Sequence, residues 1–591
     1  MTRRKVSSWL HVVVSISFTL LLVAPSLAQD EAKWQAALQE AGKARQAGKL
    51  EEVELQLKTA LAEAELFGPL DQHLVLSLDA LGAFYYEKGD YAQAQPVFAR
   101  MLDIRERTLG SRHPLVATVL NNTAVVEALA GMKAEAEAHS KRALQISEQI
   151  AEGFSGITAL VAGGNHTCAL VGGGQVYCWG GNLDGQLGLP SPASTAYPVQ
   201  VPQVSNAISI AAGAAFSCAL LTDHTVTCWG ANSSGQTGAA VAPTSAPNKL
   251  AGIAKAQAIA AGGEHACALL EGGTVKCWGN NQKGQLGNGA SANASAPVEV
   301  AGIKGATAIA AGVNHSCAAV QGGVSCWGAF VAEPSAAATP VRVPGLSGTV
   351  QSLGTGANYG CALLSDKKLS CWWEAKPPAG AEVKPSTLTN AEVIQSLGEV
   401  QSLAAGYAHT CVVLMDGSAR CWGNNREGQL GNGQTQSTMA PVAVKKLASA
   451  TSLAAGLAHT CAILADKTAA CWGSDSYGAP SGVVFSVKSH EPVPVGRDES
   501  TLLASIRNLA DIYRALKRFG EAEPLYQRAL QMVEKERGPE DERLAPVLNA
   551  YARMLQEAGR TEEAAKAEER AQFVLNKPVL TDVPLQPTTP K

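Results

Sequence analysis

The sequence predicts a multidomain chain in which an all-β propeller of seven units is inserted into an all-α solenoid. Three observations predict it. All fourteen cysteines of the 591 residues fall into seven close pairs that recur about every fifty residues. The flanking segments carry apolar residues at helical rather than strand spacing. The segment 154–496 also holds only about a third of the charged side chains, so two compositions imply two kinds of domain.

The chain opens on an address. Arg3, Arg4 and Lys5 precede an apolar run from Trp9 to Val23, and Ser26, Leu27 and Ala28 offer small residues for cleavage. Residues 1–28 are therefore expected to be a signal peptide, cut near Ala28. The alternative, a short anchor, fits poorly because the run is too short to span a bilayer comfortably. No later stretch is apolar enough to cross a membrane, so the mature protein is expected to be exported, to the periplasm or the extracellular space. A net charge of -4 argues against a general nucleic-acid binder or a polybasic membrane docker.

The cysteine pairs are Cys168/Cys178, Cys218/Cys228, Cys267/Cys277, Cys317/Cys326, Cys361/Cys371, Cys411/Cys421 and Cys461/Cys471. Successive first cysteines lie 50, 49, 50, 44, 50 and 50 residues apart, which marks a repeat array. Within each unit two apolar runs flank a turn, a hairpin signal. Folding the first unit about its centre puts Leu170 opposite Val176, with Gly172 to Gly174 as a three-residue turn. The fourth pair is one residue shorter and fits a two-residue turn, Gln321-Gly322. Every pair then becomes a directly opposed cross-strand pair, within reach of a disulfide. Buried thiol pairs and metal sites are the alternatives. An oxidising destination favours seven disulfides, and a zinc site would want closer cysteines.

An apolar strand precedes each hairpin ("ISIAAG", "SLAAG") and a proline-led strand follows most of them ("APVEV", "TPVRV"). Four short strands per unit, apolar on both faces, suit a propeller blade sandwiched between neighbours. A β-helix is the runner-up, but its rungs are shorter. His166, His265, His315, His409 and His459 stand two residues before a cysteine, while Phe216 and Tyr359 fill that slot in units two and five. A slot that accepts aromatics reads as a packing and hydrogen-bonding position. Trp179, Trp229, Trp278, Trp327, Trp372, Trp422 and Trp472 follow the second cysteines and read as blade packing. No catalytic residue, cofactor site or metal site is assigned.

The string Gly-x-x-His-Ser/Thr-x-Ala-Leu, then Gly-x-Val-x-x-Trp-Gly-x-Asn-x-x-Gly-Gln-Leu-Gly, resembles the regulator of chromosome condensation repeat, whose family folds as a seven-bladed propeller. Units one, three and six carry the full signature, ending at Gly188, Gly287 and Gly431; unit two has Thr237 in place of Leu. Units four, five and seven lose the Gly-Gln-Leu-Gly end, which leaves their outer loops open. The founding member is a guanine-nucleotide exchange factor, and another propeller of the family inhibits β-lactamases. The resemblance implies those two activities as alternatives to plain protein binding.

Helical pattern covers residues 29–152 and 498–577, about three helix pairs and then two. Gly48, Gly89 and Gly131 mark turns within pairs, and Lys517 and Gly559 take that place after the insertion. The gap from Gly131 to Lys517 equals one helix pair plus the length of the propeller segment, so the solenoid register resumes where it stopped. Lys517 departs from glycine and is expected to tighten or shift its turn. "HPLVATVLNNTAVVEALAG" and "NLADIYRALKRFGEAEPLYQRAL" resemble tetratricopeptide repeats of the kind in kinesin light chains. There, asparagines on the first helix of a pair line a peptide-holding groove. Asn122 and Asn508 match those positions, whereas Ala80 and Ala550 occupy them in neighbouring pairs. The tail 578–591, rich in proline and threonine, is expected to be disordered. The sequence thus predicts an exported, non-catalytic interaction scaffold with protein or peptide partners. It binds by a propeller face and a helical groove, without nucleic acid, a membrane span or a cofactor.

Overall fold

The computed structural model describes residues 25–576, apart from 152, 191–193, 240–242, 330–337, 374–389, 396, 475–488 and 496–498. Residues 1–24 of the expected signal segment, the proline-rich tail and the outer loops of units four, five and seven lie outside the described residues. Before the propeller stand α1 (Pro25–Gln46), α2 (Leu50–Glu65), α3 (Gln72–Lys88), α4 (Tyr91–Leu109), α5 (Pro114–Leu129) and α6 (Lys133–Ala151). After it come α7 (Glu499–Ala515), α8 (Phe519–Arg537), α9 (Leu544–Glu557) and α10 (Thr561–Leu575). Among these residues no helix is long and apolar enough to cross a membrane.

The helices pair because alanines let them approach: Ala60, Ala94, Ala117, Ala136, Ala143, Ala522, Ala529 and Ala564 are fully buried. Each pair turns through a left-handed residue, with φ of 71° at Gly48, 78° at Gly89, 86° at Gly131 and 79° at Gly559. Lys517 adopts φ of 62° in the same place. The turn is therefore neither tightened nor shifted. The amides of Lys517 and Arg518 bond back to Arg514 and Tyr513 as those of Gly89 and Asp90 bond to Tyr86 and Tyr85. The lysine takes on the strain that glycine avoids.

The solenoid runs through the insertion. Helix α6 packs on α7, which follows it in the chain only after the propeller. Ser505 of α7 is buried and receives the Asn121 amide at 2.8 Å while sharing a 2.8 Å bond with Ser147. Ile512 fills the space against Ala124 and Ala136. Arg518 to Glu137 at 2.7 Å and Arg528 to Glu148 at 2.6 Å tie the outer side.

Between these helices lie seven four-stranded antiparallel sheets, each made of four consecutive strands. Blade one is β1 (Ile157–Ala162), β2 (His166–Val171), β3 (Gln175–Gly181) and β4 (Ser194–Gln200). In all seven hairpins the two cysteines are direct cross-strand partners. Disulfides join Cys168 to Cys178, Cys218 to Cys228, Cys267 to Cys277 and Cys317 to Cys326. The last three blades repeat the bond between Cys361 and Cys371, Cys411 and Cys421, and Cys461 and Cys471. No cysteine is left free. Every blade thus holds its two cysteines at disulfide distance across the hairpin. In the fourth hairpin Val320 pairs with Gly323, leaving Gln321 and Gly322 as the two-residue turn. These bonds fit an oxidising compartment.

All fourteen cysteines are buried, so the bonds serve the blades and not a surface. Cys228 packs with Leu250 and Trp278, Cys277 with Leu286 and Trp327, and Cys371 with Val400 and Trp422. Cys421 lies in one core with Leu430 and Trp472, and Cys471 lies in another with Ile157 and Trp179 of blade one. In each of these the second cysteine meets the tryptophan of the following blade.

Blade seven ends on its own outer strand, Ser489–Pro494, so the ring closes without a strand shared between first and last blades. Closure rests on the Ile157 amide bonded to the Lys467 carbonyl at 3.0 Å and the Phe154 amide to Val495 at 3.4 Å. A core joining Ile157, Leu160 and Trp179 to Ile463 and Val495 adds apolar burial. The α4–α5 turn leans on blade one. His113 is buried there, 3.3 Å from the Thr195 hydroxyl and edge-on to Tyr197.

Candidate functional site: the blade interfaces and the repeat surfaces

Four of the five slot histidines read a hydroxyl on the neighbouring blade, whereas the position facing His315 is Gly360, which has none. His166 Nε2 lies 2.8 Å from Ser217 Oγ, and His265 Nε2 lies 2.8 Å from Ser316 Oγ. His409 reaches Thr460, and His459 reaches across the ring closure to Thr167, each at 2.9 Å. The hydroxyl spends its only proton on the previous blade: Ser217 donates to the Gln186 carbonyl, Ser316 to Gln285 and Thr460 to Gln429. The histidine must then be the donor, which assigns the neutral Nε2–H tautomer. Where the slot holds Phe216, the facing position of the next blade is Ala266, which has no hydroxyl to satisfy. Tyr359 instead accepts from the Thr410 hydroxyl and donates to the Gly406 carbonyl at 3.0 Å.

Burial holds these histidines neutral. Desolvation pushes His265 and His459 down to about 4, and His166, His315 and His409 down to about 3. For His166 and His409 the nearby His459 adds to the effect. A base with so low a pKa and no solvent access is a structural donor.

The Gly-Gln-Leu-Gly motif proves to be the socket for the next blade. The Gln186 carbonyl also accepts Trp229 Nε1 at 2.9 Å, and Gln236, Gln285 and Gln429 do the same for Trp278, Trp327 and Trp472. The loop is held ready by its own side chains, since Asn281 accepts the Leu286 amide at 3.0 Å and Gln285 accepts that of Lys283 at 2.8 Å. A Cβ at Gly287 would sit 2.7 Å from the Trp327 ring, so the closing glycine is required by the neighbouring tryptophan.

Around the axis, Gly163, Gly213, Gly262, Gly312, Gly356, Gly406 and Gly456 form a closed ring. A Cβ on any of them would lie no more than 2.6 Å from the carbonyl oxygen of the next. The residue after each glycine extends the belt: Tyr407 N bonds to Gly456 O at 3.0 Å, and Leu457 N to Gly163 O at 3.3 Å. Sequence reasoning missed both the ring and the hydroxyl partners, although the pairing of Phe216 with Ala266 was a readable signal.

Among the described residues no group of three or more His, Cys, Asp or Glu converges as metal ligands would. Asn122 and Asn508 are both half-buried, on α5 and α7, the first helices of adjacent pairs that pack against each other. Sequence reasoning passed over their neighbour Asn121, which is the asparagine buried across the insertion.

Fold and interfaces together define a composite repeat protein, a ring of blades set into a helical array. Family models place the two parts. The regulator of chromosome condensation repeat matches 173–220, 272–319 and 416–463. A second model of the same repeat matches 157–186, 207–236, 256–285, 400–429 and 450–479. The tetratricopeptide repeat matches 74–149 and 501–572. The propeller is thus built of regulator of chromosome condensation repeats and the helices of tetratricopeptide repeats. Among solved structures, Prp20p of Saccharomyces cerevisiae is similar at 23% identity and a TM-score of 0.44, over 51% of this chain and 80% of that one. Human WBSCR16 is similar at 22% identity and a TM-score of 0.44, over 51% of this chain and 84% of its own. BtubC of P. vanneervenii matches 20% of this chain and 48% of its own at 25% identity, with a TM-score of 0.19. A search of curated proteins found no match.

Proposed function

We infer that the protein is an exported, non-catalytic scaffold that binds protein or peptide partners through two separate surfaces. The observation that carries this reading is where the chemistry goes. Four of the five slot histidines bond the hydroxyl of the next blade, and all fourteen cysteines are paired. The repeats therefore spend their polar groups on rigidity. A rigid ring offers loops that can vary over a fixed frame, and a solenoid offers a concave groove. Seven disulfides support an oxidising destination, and the basic and apolar start supports export with cleavage near Ala28. The likeness to Prp20p transfers the fold alone, and its binding to Gsp1p and histones is said of that protein.

The test is affinity capture with the oxidised protein from its own compartment, followed by calorimetry on each retained partner. Asn122→Ala with Asn508→Ala should weaken a groove partner about 5- to 150-fold, the loss of one or two buried hydrogen bonds. A propeller partner should be unaffected. Equal loss for both partners would mean one composite site, and no loss for either would remove the groove.

A further inference from the structure

A cleft of about 610 Å³ lies where the solenoid meets blade one, lined by the α4–α5 turn, the end of α6, the first hairpin and β4. Its apolar walls are aromatic: Phe154, Tyr177 and Tyr197, with Phe154 and Tyr177 tilted against each other at 5.2 Å. Its polar side chains include Arg112, Gln149, Gln175 and Gln200, and none of these, nor the Tyr177 hydroxyl, has a hydrogen-bond partner among the described residues. All five can donate hydrogen bonds. Among the described residues no carboxylate lines the cleft, and its one full positive charge is Arg112.

That donor-rich, aromatic lining fits a particular chemistry. A proline-rich extended segment lacks many N–H groups, so it presents carbonyls that need donors and ring faces that need aromatic walls. The chain carries such a segment. Residues 577–591 read "KPVLTDVPLQPTTPK", with four prolines and a single acidic side chain, Asp582. We propose that this tail docks in cis into the cleft between solenoid and propeller. Reach permits it. Helices α6, α8 and α10 are second helices of consecutive pairs, so their C-terminal ends share one end of the solenoid. Two pairs separate α10 from α6, roughly 20 Å at about 10 Å per packed helix layer. The tail can extend about 45 Å at ~3.1 Å per residue.

The test uses a fluorescent peptide of residues 577–591 and the full oxidised chain, read by anisotropy. In one chain the four tail prolines are replaced (Pro578→Ala, Pro584→Ala, Pro587→Ala, Pro590→Ala), which vacates the cleft. This variant should bind the peptide at least tenfold tighter than the wild type, whose tethered tail competes at millimolar effective concentration. Adding the exposed changes Gln200→Ala or Arg112→Asp should weaken binding several-fold. Equal affinity of wild type and tail variant, no binding by the tail variant, or indifference to the cleft changes would each overturn the proposal.

Discussion

Replacing His265 by Phe and Ser316 by Ala tests the code between blades. Alone, His265→Phe removes the donor now 2.8 Å from the Ser316 hydroxyl, which keeps its own bond to the Gln285 carbonyl and so loses little. Alone, Ser316→Ala leaves His265 Nε2–H buried without an acceptor. An orphaned buried polar group costs about 1–3 kcal/mol. The Gln285 carbonyl is spared, because Trp327 Nε1 still donates to it at 2.9 Å. The double change recreates the arrangement already present where Phe216 meets Ala266, so it should recover most of the loss. The expected coupling is therefore about 1–3 kcal/mol. The readout is guanidinium unfolding of the oxidised protein followed by tryptophan fluorescence, since seven Cys-Trp tryptophans report on the blades. Single losses that simply add in the double variant, within about 0.5 kcal/mol, would refute the code.

Acid should weaken the propeller. The five slot histidines fall from 6.5 to about 3 or 4 in the fold, so below pH 6.5 the unfolded chain takes up protons that the folded one refuses. Stability is then complete above that pH and lost as pH falls, by up to about 1.4 kcal/mol per histidine per unit; a denaturation midpoint unchanged from pH 7.5 to 5 would contradict it. Gly406→Ala places a Cβ 2.6 Å from the Gly456 carbonyl and should destabilise the ring by about 1–3 kcal/mol or more, measured by the same unfolding curve. Lys517→Gly should stabilise the helical part by about 0.5–1 kcal/mol, seen as a later thermal transition at 222 nm. Its exposed pair with Glu557 offsets little of that gain.

Much of this fold was legible because repetition multiplies weak signals. One hairpin with cysteines ten apart is ambiguous; seven with the same turn position fix both the strand register and the facing of each cysteine. The solenoid register was legible for the same reason, through its spaced turn residues. The contacts of the unrepeated parts were not. Nothing periodic announces that His113 will bury itself against Thr195 and Tyr197, or that Asn121 rather than Asn122 will reach Ser505. The hydroxyl code escaped because its partners sit some fifty residues apart, where the packing of one blade on the next makes them neighbours.

The ring that closes without a shared strand also fixes where the chain enters and leaves it. When the first three helix pairs leave the ribosome, the face of α6 that α7 will cover has nothing to meet. Its partner is still more than three hundred residues from synthesis. With the last blade beside the first, the Phe154 amide meets the Val495 carbonyl and α7 leaves the ring next to α6. The solenoid is therefore a clasp on the ring: α6 packed on α7 holds the chain's entry to blade one beside its exit from blade seven.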